Sequence, residues 1–571
     1  MTTEPHATLE GVVGDLPAER AAIRRELLAE RALPVDEYWR AAELRLDRPL
    51  SDGINLAHEY CDRWADDPER LALTVHDPDG RVSRWTYADL TRASSALTNL
   101  FVARGLGRGD RIAAVLDQCV EAYIAALAAW RAGMVYVPLF VGFGADALAQ
   151  RIGTADCALV IVDHRYRDVV GTALQQAGQH PQVVVVTAPD GSGLAGRDTN
   201  LWDALAEFPD RHEMAATGPD DVATIMFTSG TTGNPKGCLH PHGALVLGLQ
   251  SFLRHTMALG ASDVVFAGAN PGWSFGLYTA GLGVQSLGVR RVIYTGGFDP
   301  EAWLRIMAAE KVTYVATAPS AYRPLVNFLQ STGQRLPDSV RGGLSAGEPL
   351  TTTLTEGWAG VGGGPLQDGY GSSEMGMVLA NLAFEDRDFP AGALSSPVPG
   401  FDVDIVDDLG RHTEGEGMIG VRQPRWPIIG YLGLEEKWAA KHAHGVFLSG
   451  DLARRDSDGF FWFAGRSDDL IVTAGYNVGP NEVENIIGGL PGVVDVAVVA
   501  APDPDRGSVV RAVIIDDGSV PRDTLAQQAQ REVRARLGRH AYPKVIDFVD
   551  ALPRTETGKV RRNVLRETGP Q

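Results

Sequence analysis

Short apolar runs alternate with longer amphipathic stretches along most of this chain, and that alternation sets the expected architecture. Arg111 to Leu116, Ala158 to Asp163, Val183 to Thr187, Val222 to Phe227 and Val292 to Thr295 are compact apolar runs that predict strands. Ala122 to Ala132 and Ser320 to Leu329 predict helices. Strands interleaved with helices in this way imply a layered α/β fold with largely parallel sheets. The first fifty or so residues are charged and helix-prone, with Ala21 to Ala32 the clearest helix, and are expected to pack on the body as an extension. No repeat of short period is visible.

The pattern changes after Phe460-Phe461-Trp462-Phe463. Val493 to Val499 and Val509 to Ile515 then predict strands and Asp523 to Leu537 a helix, the content of a separate small α+β unit of roughly a hundred residues. At 571 residues the chain exceeds what one core organises, so more than one domain is expected. The expected division is a helical extension over residues 1–50, a large domain of several layered sheets over 51–467, and a small domain over 468–571.

Composition narrows the class. A formal net charge of −20 argues against nucleic acid as a partner, since such binders carry a basic face. No run of 18 apolar residues occurs, so no membrane-spanning helix is expected. Met1 to Asp15 carries acidic residues and lacks a basic segment before an apolar one, which reads as no secretory signal and a cytoplasmic location. Cys61, Cys119, Cys157 and Cys238 lie far apart without metal spacing and read as ordinary thiols. His240 and His242 lack a third ligand at suitable spacing and read as local structure after a loop.

The most informative string is residues 228 to 237, Thr-Ser-Gly-Thr-Thr-Gly-Asn-Pro-Lys-Gly, which follows the apolar run Val222 to Phe227. Gly230, Gly233 and Gly237 allow close backbone approach, Thr228, Ser229, Thr231 and Thr232 offer hydroxyl donors, and Lys236 adds a positive charge. Such a loop suits a polyphosphate, yet it lacks the Gly-Lys-Ser/Thr of a Walker A motif. Taken alone it reads equally well as a solvated loop.

Three more strings accompany it in order: Leu-Ser-Ala-Gly-Glu-Pro-Leu at 344 to 350, Gln-Asp-Gly-Tyr-Gly-Ser-Ser-Glu-Met-Gly at 367 to 376, and Leu-Pro-Arg-Thr-Glu-Thr-Gly-Lys-Val-Arg-Arg at 552 to 562. Ser449-Gly450-Asp451 and the run from Gly465 to Glu484 lie between them. Together these resemble the adenylate-forming superfamily, which includes acyl-CoA synthetases, carrier-protein adenylation domains and luciferases. The resemblance extends from about Asn55 onward.

The resemblance implies ATP, Mg²⁺ and CoA as substrates or cofactors and a small-molecule carboxylic acid as the group activated. A carboxylate is a poor electrophile, and attack on the α-phosphorus of ATP gives it AMP as a leaving group. Both reactants are anions, so the site must neutralise charge and hold them in line. By resemblance, Lys559 is the adenylation lysine, Glu374 the Mg²⁺ ligand, and Thr228, Ser229, Gly230, Thr231, Thr232 and Lys236 hold phosphates. Ala346, Gly347 and Glu348 would line the adenine, with Asp368, Gly369, Tyr370, Gly371, Ser372 and Ser373 forming the adjacent strand and turn and Tyr370 stacking on the base. Ser373 stands where the family generally has Thr. Asp451 and Arg466 would contact the ribose, Asp468 would be a hinge on which the small domain rotates, and Gly475 would open the path of the thiol. Asn477 occupies a position where some acyl-CoA synthetases carry arginine, which leaves the thiol acceptor open.

Acid specificity is expected from Trp273, Ser274 and Phe275 and from the following Gly281 to Gly288, with Trp273 either a pocket wall or a packing residue. No acidic residue stands where amino-acid-activating relatives place one, and the small residues suit a hydrophobic acid, whether medium-chain, aryl or bulky polycyclic. The expected activity is formation of acyl-AMP and pyrophosphate, then acyl-CoA. Its rivals are an enzyme that hands the adenylate to another protein, such as a carrier or a downstream acyltransferase, and a silent adenylate-binding relative. A homodimer is compatible with the sequence.

Overall fold

Apolar runs too short for a helix and flanked by turn residues satisfy their backbone groups by pairing with one another, and the helices between them cover both faces of the resulting sheets. In the computed structural model this produces two large, mostly parallel sheets in the first three-quarters of the chain. The structure describes residues 18–569 except 189–190, 229–234, 348–349, 386–388, 391, 423–427, 467–468, 470, 474–475, 504–506, 538, 540 and 555–559.

One sheet has seven strands, in the spatial order Thr199–Asn200, Gln182–Val186, Leu159–Asp163, Arg111–Val115, Val135–Leu139, Val222–Thr228 and Lys236–Pro241. Its neighbours pair parallel except the last two, which form an antiparallel hairpin. Burial on both faces explains why these strands read as unbroken apolar runs. A second sheet of nine strands has Leu366–Ser372, Gly342–Ala346, Tyr314–Ala316, Val264–Ala267, Arg290–Tyr294 and Leu71–His76 in parallel register at its centre.

The expectation of largely parallel sheets holds for these two and fails for a third. Ala393–Leu394, Phe461–Arg466, Val446–Arg455, Glu416–Arg422 and Asp402–Val406 make an antiparallel sheet, with His442–Ala443 added beside Val446–Arg455. In Val446–Arg455 buried and partly exposed residues alternate, so no continuous apolar run announces the strand.

Two further parts flank this body. Helices Ala18–Arg31 and Val35–Glu43 precede it, and Tyr38, Trp39 and Ala42 are buried in the same apolar core as the body's strands. After residue 470, strands Val493–Asp503, Gly507–Asp516 and Val545–Phe548 form a separate three-stranded sheet. Helices Pro480–Gly488 and Arg522–Arg536 cover it around a core of its own that includes Val483, Ile487, Val498, Ile514, Leu525 and Val533. The fold is thus mixed α/β with several sheets, a large N-terminal part and a small C-terminal part.

Candidate active site

Strand Leu366–Ser372 leaves the nine-stranded sheet and turns back through Ser373, Glu374 and Met375 into Gly376–Ala380, with Ser372 facing Gly376. The turn needs its glycines: Gly376 has φ +72°, and a Cβ on Gly371 would lie 2.1 Å from the Gly376 carbonyl oxygen. Glu374 therefore sits at the tip, where its backbone N–H donates to Ser372 Oγ at 3.2 Å.

The Glu374 carboxylate meets a tyrosine from a distant segment: Tyr431 donates its hydroxyl to Oε1 at 3.0 Å. Burial and that carboxylate both push Tyr431 upward, so it remains a neutral donor. Lys236 faces Thr228 across the hairpin, and its Nζ lies 5.1 Å from the centre of the Tyr431 ring. Tyr431 thus holds a cation over its face and a carboxylate at its hydroxyl.

Two histidines fix the hairpin to its surroundings. His240 donates from Nε2 to the Ser373 carbonyl at 2.8 Å, joining the seven-stranded sheet to the Glu374 turn. Burial lowers His240 to about 4, so it is the neutral imidazole. His242, lowered by burial to about 3, accepts the Leu56 N–H at its Nδ1 at 3.0 Å. These contacts fit the structural reading of the pair.

The antiparallel sheet contributes a second cluster. Asp451 lies opposite Arg466 in register, and its Oδ1 accepts from Arg466 Nη1 at 3.4 Å. Its Oδ2 accepts from the Tyr370 hydroxyl at 2.6 Å, which ties this sheet to the strand that carries the Glu374 turn. The Asp451 N–H donates to Ser449 Oγ at 3.0 Å, so the serine hydroxyl orients the backbone beside the carboxylate. Three sheets therefore converge here through His240 to Ser373 and Tyr370 to Asp451. Lys441 adds a cation: its Nζ donates to the Ser449 carbonyl at 3.3 Å, and burial lowers it while Glu374 and Asp451 act the other way. Asp368, on the inner part of the same strand, is buried and pushed up to about 7 by desolvation.

Beside these groups lies a cavity of ≈ 190 Å³. Ser274, Phe275, Ala346, Gly347, Gly371, Ser372 and Ser373 line it, together with Leu245, Leu249, Tyr278, Met375, Met377, Phe401 and Ile428. Two lining segments, Ala244–Gly248 and Phe275–Leu282, are wound as wide π-helical turns, a form of backbone common at functional sites. Among the described residues that line it there is no carboxylate, amine or guanidinium, and the histidine there, His240, is neutral.

Trp273 is not among the lining residues. Its ring packs at 5.4 Å from Phe140 and 5.6 Å from Phe143, the packing alternative, and Gly281 and Gly283 are not lining residues either: a Cβ on Gly283 would press on Leu249 and on the carbonyl of Tyr278, two residues that are. Gly369 faces Ala346 across two paired strands, where a Cβ would press on Phe252. Ser229, Gly230, Thr231, Thr232, Glu348, Asp468, Gly475 and Lys559 lie outside the described residues. Tyr431 and Lys441 were missed from the sequence because neither belongs to a recognisable string; the Tyr431 segment reaches the site by backbone pairing with Gly237 and Leu239.

The sequence profile of the AMP-binding enzyme family matches residues 61–432, and that of the AMP-binding enzyme C-terminal domain matches residues 482–559. The mitochondrial acyl-coenzyme A synthetase ACSM4 of Mus musculus is 30% identical over 545 residues, covering 92% of this chain and 92% of its own. An acyl-CoA synthetase crystal structure from Brucella canis is 31% identical with a TM-score of 0.74, covering 95% of this chain and 98% of that one. ATP-bound MatB from Rhodopseudomonas palustris is 30% identical with a TM-score of 0.79, covering 90% of this chain and 98% of that one.

Proposed function

The chain belongs to the AMP-binding enzyme family as a ligase of the acyl-CoA synthetase type, and from this premise we propose that it activates a hydrophobic carboxylic acid with ATP and transfers the acyl group to CoA. The observation that carries this reading is the join of Lys236, Tyr431 and Glu374 beside a cavity whose described lining residues carry no charged group. An amino acid's ammonium or a second carboxylate placed in such a cavity would lose its hydration without a partner. A monoanionic acid with an apolar body, medium-chain, aryl or polycyclic, fits it.

In the first step a carboxylate oxygen attacks the α-phosphorus of ATP, the bond to the bridging oxygen breaks, and pyrophosphate leaves. Thr228 and Lys236, with Ser229, Gly230, Thr231 and Thr232, are assigned to the phosphates, and Tyr370 to the adenine, with Ala346, Gly347 and Glu348 beside it. Asp451 is assigned to the ribose hydroxyls, supported by Arg466, which already touches it at 3.4 Å. Glu374 fits Mg²⁺: its half-buried carboxylate stands at the tip of a turn, and this ion needs few protein oxygens because phosphates and water complete its shell. When bound, Mg²⁺ would offset charge on the phosphates. Lys559 is assigned to stabilising charge at the α-phosphate. In the second step the CoA sulfur attacks the acyl carbon, the bond to AMP breaks, and the thiol proton is released. Rotation of the small domain about Asp468, with Gly475 opening the thiol path, is the proposed switch between steps.

The test is a panel of carboxylic acids incubated with ATP, with and without CoA, scored for pyrophosphate and thioester by mass spectrometry. Apolar monocarboxylic acids are expected to release pyrophosphate and, with CoA, to yield acyl-CoA. Pyrophosphate without thioester would favour handing the adenylate to a carrier thiol, and release of neither would leave an adenylate-binding relative.

A further inference from the structure

One wall of the cavity is backed by the N-terminal extension, which no step of the proposed reaction uses. Phe401 lines the cavity, and a Cβ added to Gly248, another lining residue, would lie 3.7 Å from its ring tip. The ring therefore closes the cavity against the backbone of the 244–257 helical segment.

Phe401 is held from behind by the extension. The Trp39 ring stands at 5.6 Å from Phe401, edge to face, and its Nε1–H donates to the Gly400 carbonyl at 2.7 Å. Tyr38 donates to Ser251 Oγ at 2.7 Å, and Ser251 donates in turn to the Pro399 carbonyl at 2.6 Å. Consecutive extension residues thus grip consecutive residues of the 399–401 turn. The fit leaves no slack: a Cβ on Gly400, at φ +92°, would lie 2.6 Å from the Trp39 ring and 2.7 Å from Tyr38.

The extension is anchored independently of that grip. Glu30 pairs with Arg254 at 3.0 Å, Arg45 at 2.8 Å and the fully buried His255 at 3.2 Å, while Arg31 donates to the His255 carbonyl at 3.3 Å and to the Ala383 carbonyl. Arg254, His255 and Ser251 all lie on helix Leu249–Met257, whose first residue lines the cavity. One helix therefore carries both the anchor and part of the wall.

We propose that Trp39 and Tyr38 are positioning residues for acid selection, setting how long an acyl group the cavity admits by fixing Phe401. The inference rests on the reading that this cavity receives the acid. Shortening the Phe401 side chain opens the wall directly. Loosening Trp39 lets the same ring recede, without touching the nucleotide groups.

The experiment compares wild type, Phe401→Ala, Trp39→Phe, Trp39→Ala and Tyr38→Phe on straight-chain acids and 4-alkylbenzoic acids of increasing length. It reads kcat and KM for each acid by pyrophosphate release, the KM for ATP and the melting temperature. Trp39→Phe keeps an aromatic ring and loses the indole donor, and Tyr38→Phe loses one hydroxyl, so both remain informative where Trp39→Ala fails to fold. Phe401→Ala is expected to move the preferred acid to greater length. The Trp39 and Tyr38 variants are expected to raise the long-to-short ratio of kcat/KM severalfold through KM, with the KM for ATP unchanged. A uniform loss over all acids in the Trp39 and Tyr38 variants, with Phe401→Ala still shifting length, overturns the proposal and spares the acid-cavity reading. No shift with Phe401→Ala removes that reading and the proposal with it.

Discussion

The two ends of this molecule attach to the body in opposite ways. The N-terminal helices bury Tyr38, Trp39 and Ala42 in the same core as the body's strands. The C-terminal unit closes its own core and keeps its strong ion pairs internal, such as Arg511 with Asp547 at 2.5 Å and Arg562 with Glu484 at 2.7 Å. An element that shares the body's core cannot leave without opening a void, at about 3–5 kcal/mol for one large aromatic. A unit with its own core can be displaced without that cost. Under the proposed function, the fixed end would shape what enters and the separable end would bring chemistry to it.

The largest expected effect tests the separable end. Lys559→Ala should lower acyl-adenylate formation by about a hundredfold or more, the usual scale for one positioned charge stabiliser. Conversion of supplied acyl-adenylate to thioester should survive, measured by single-turnover assays of each half-reaction. Equal losses in both would mean that the C-terminal unit serves one undivided site. Next comes the body between the ends. Glu374→Gln should weaken activation by Mg²⁺ roughly tenfold in a metal titration, on the scale of changes around metal ligands. An unchanged titration curve removes Glu374 from the ligand set.

Acidification probes the fixed end. His255 is lowered by burial to about 4, below the ordinary value of 6.5, so the unfolded chain takes up this proton first as pH falls. Its contribution to stability is therefore lost as pH drops from about 6.5 to about 4. Replacing it by Asn should flatten the fall in urea midpoint across that window relative to wild type. Parallel curves for the two proteins would show that His255 does not carry the titration.

What was legible in the sequence follows from how each element is buried. Leu159–Asp163 and Val222–Thr228 were readable because strands covered on both faces are written as unbroken apolar runs. Val446–Arg455 was not, since only one of its faces is well covered. Glu374, Tyr370 and Asp451 lie in strings whose short-range geometry, turn glycines included, demands a local pattern. Tyr431, Lys441 and Trp39 reach their partners only through tertiary pairing, which writes no local pattern. Trp273 shows the converse: a residue inside an informative string whose ring serves packing with Phe140 and Phe143.

The smallest expected effect sharpens the contrast most. Glu30 is held at about 2: its burial favours the neutral form, and the hydrogen bond with His255 and the charges of Arg254 and Arg45 outweigh it. Its contribution is present above the unfolded value of 4.5 and is lost as pH falls from there to about 2, so it operates fully at neutral pH. Glu30→Gln keeps the shape and removes the charge, at about 2 kcal/mol for hydrogen bonds to an ionised group. That loosening should appear as faster hydrogen exchange over helix Ala18–Arg31, with melting of the C-terminal unit unchanged. Because the same helix Leu249–Met257 carries the anchor and begins at the cavity wall, the variant should also favour longer acids slightly, about twofold in the kcat/KM ratio, or 0.4 kcal/mol. Faster exchange with an unaltered acid profile would separate anchoring from selection and confine the extension's influence to Trp39 and Tyr38.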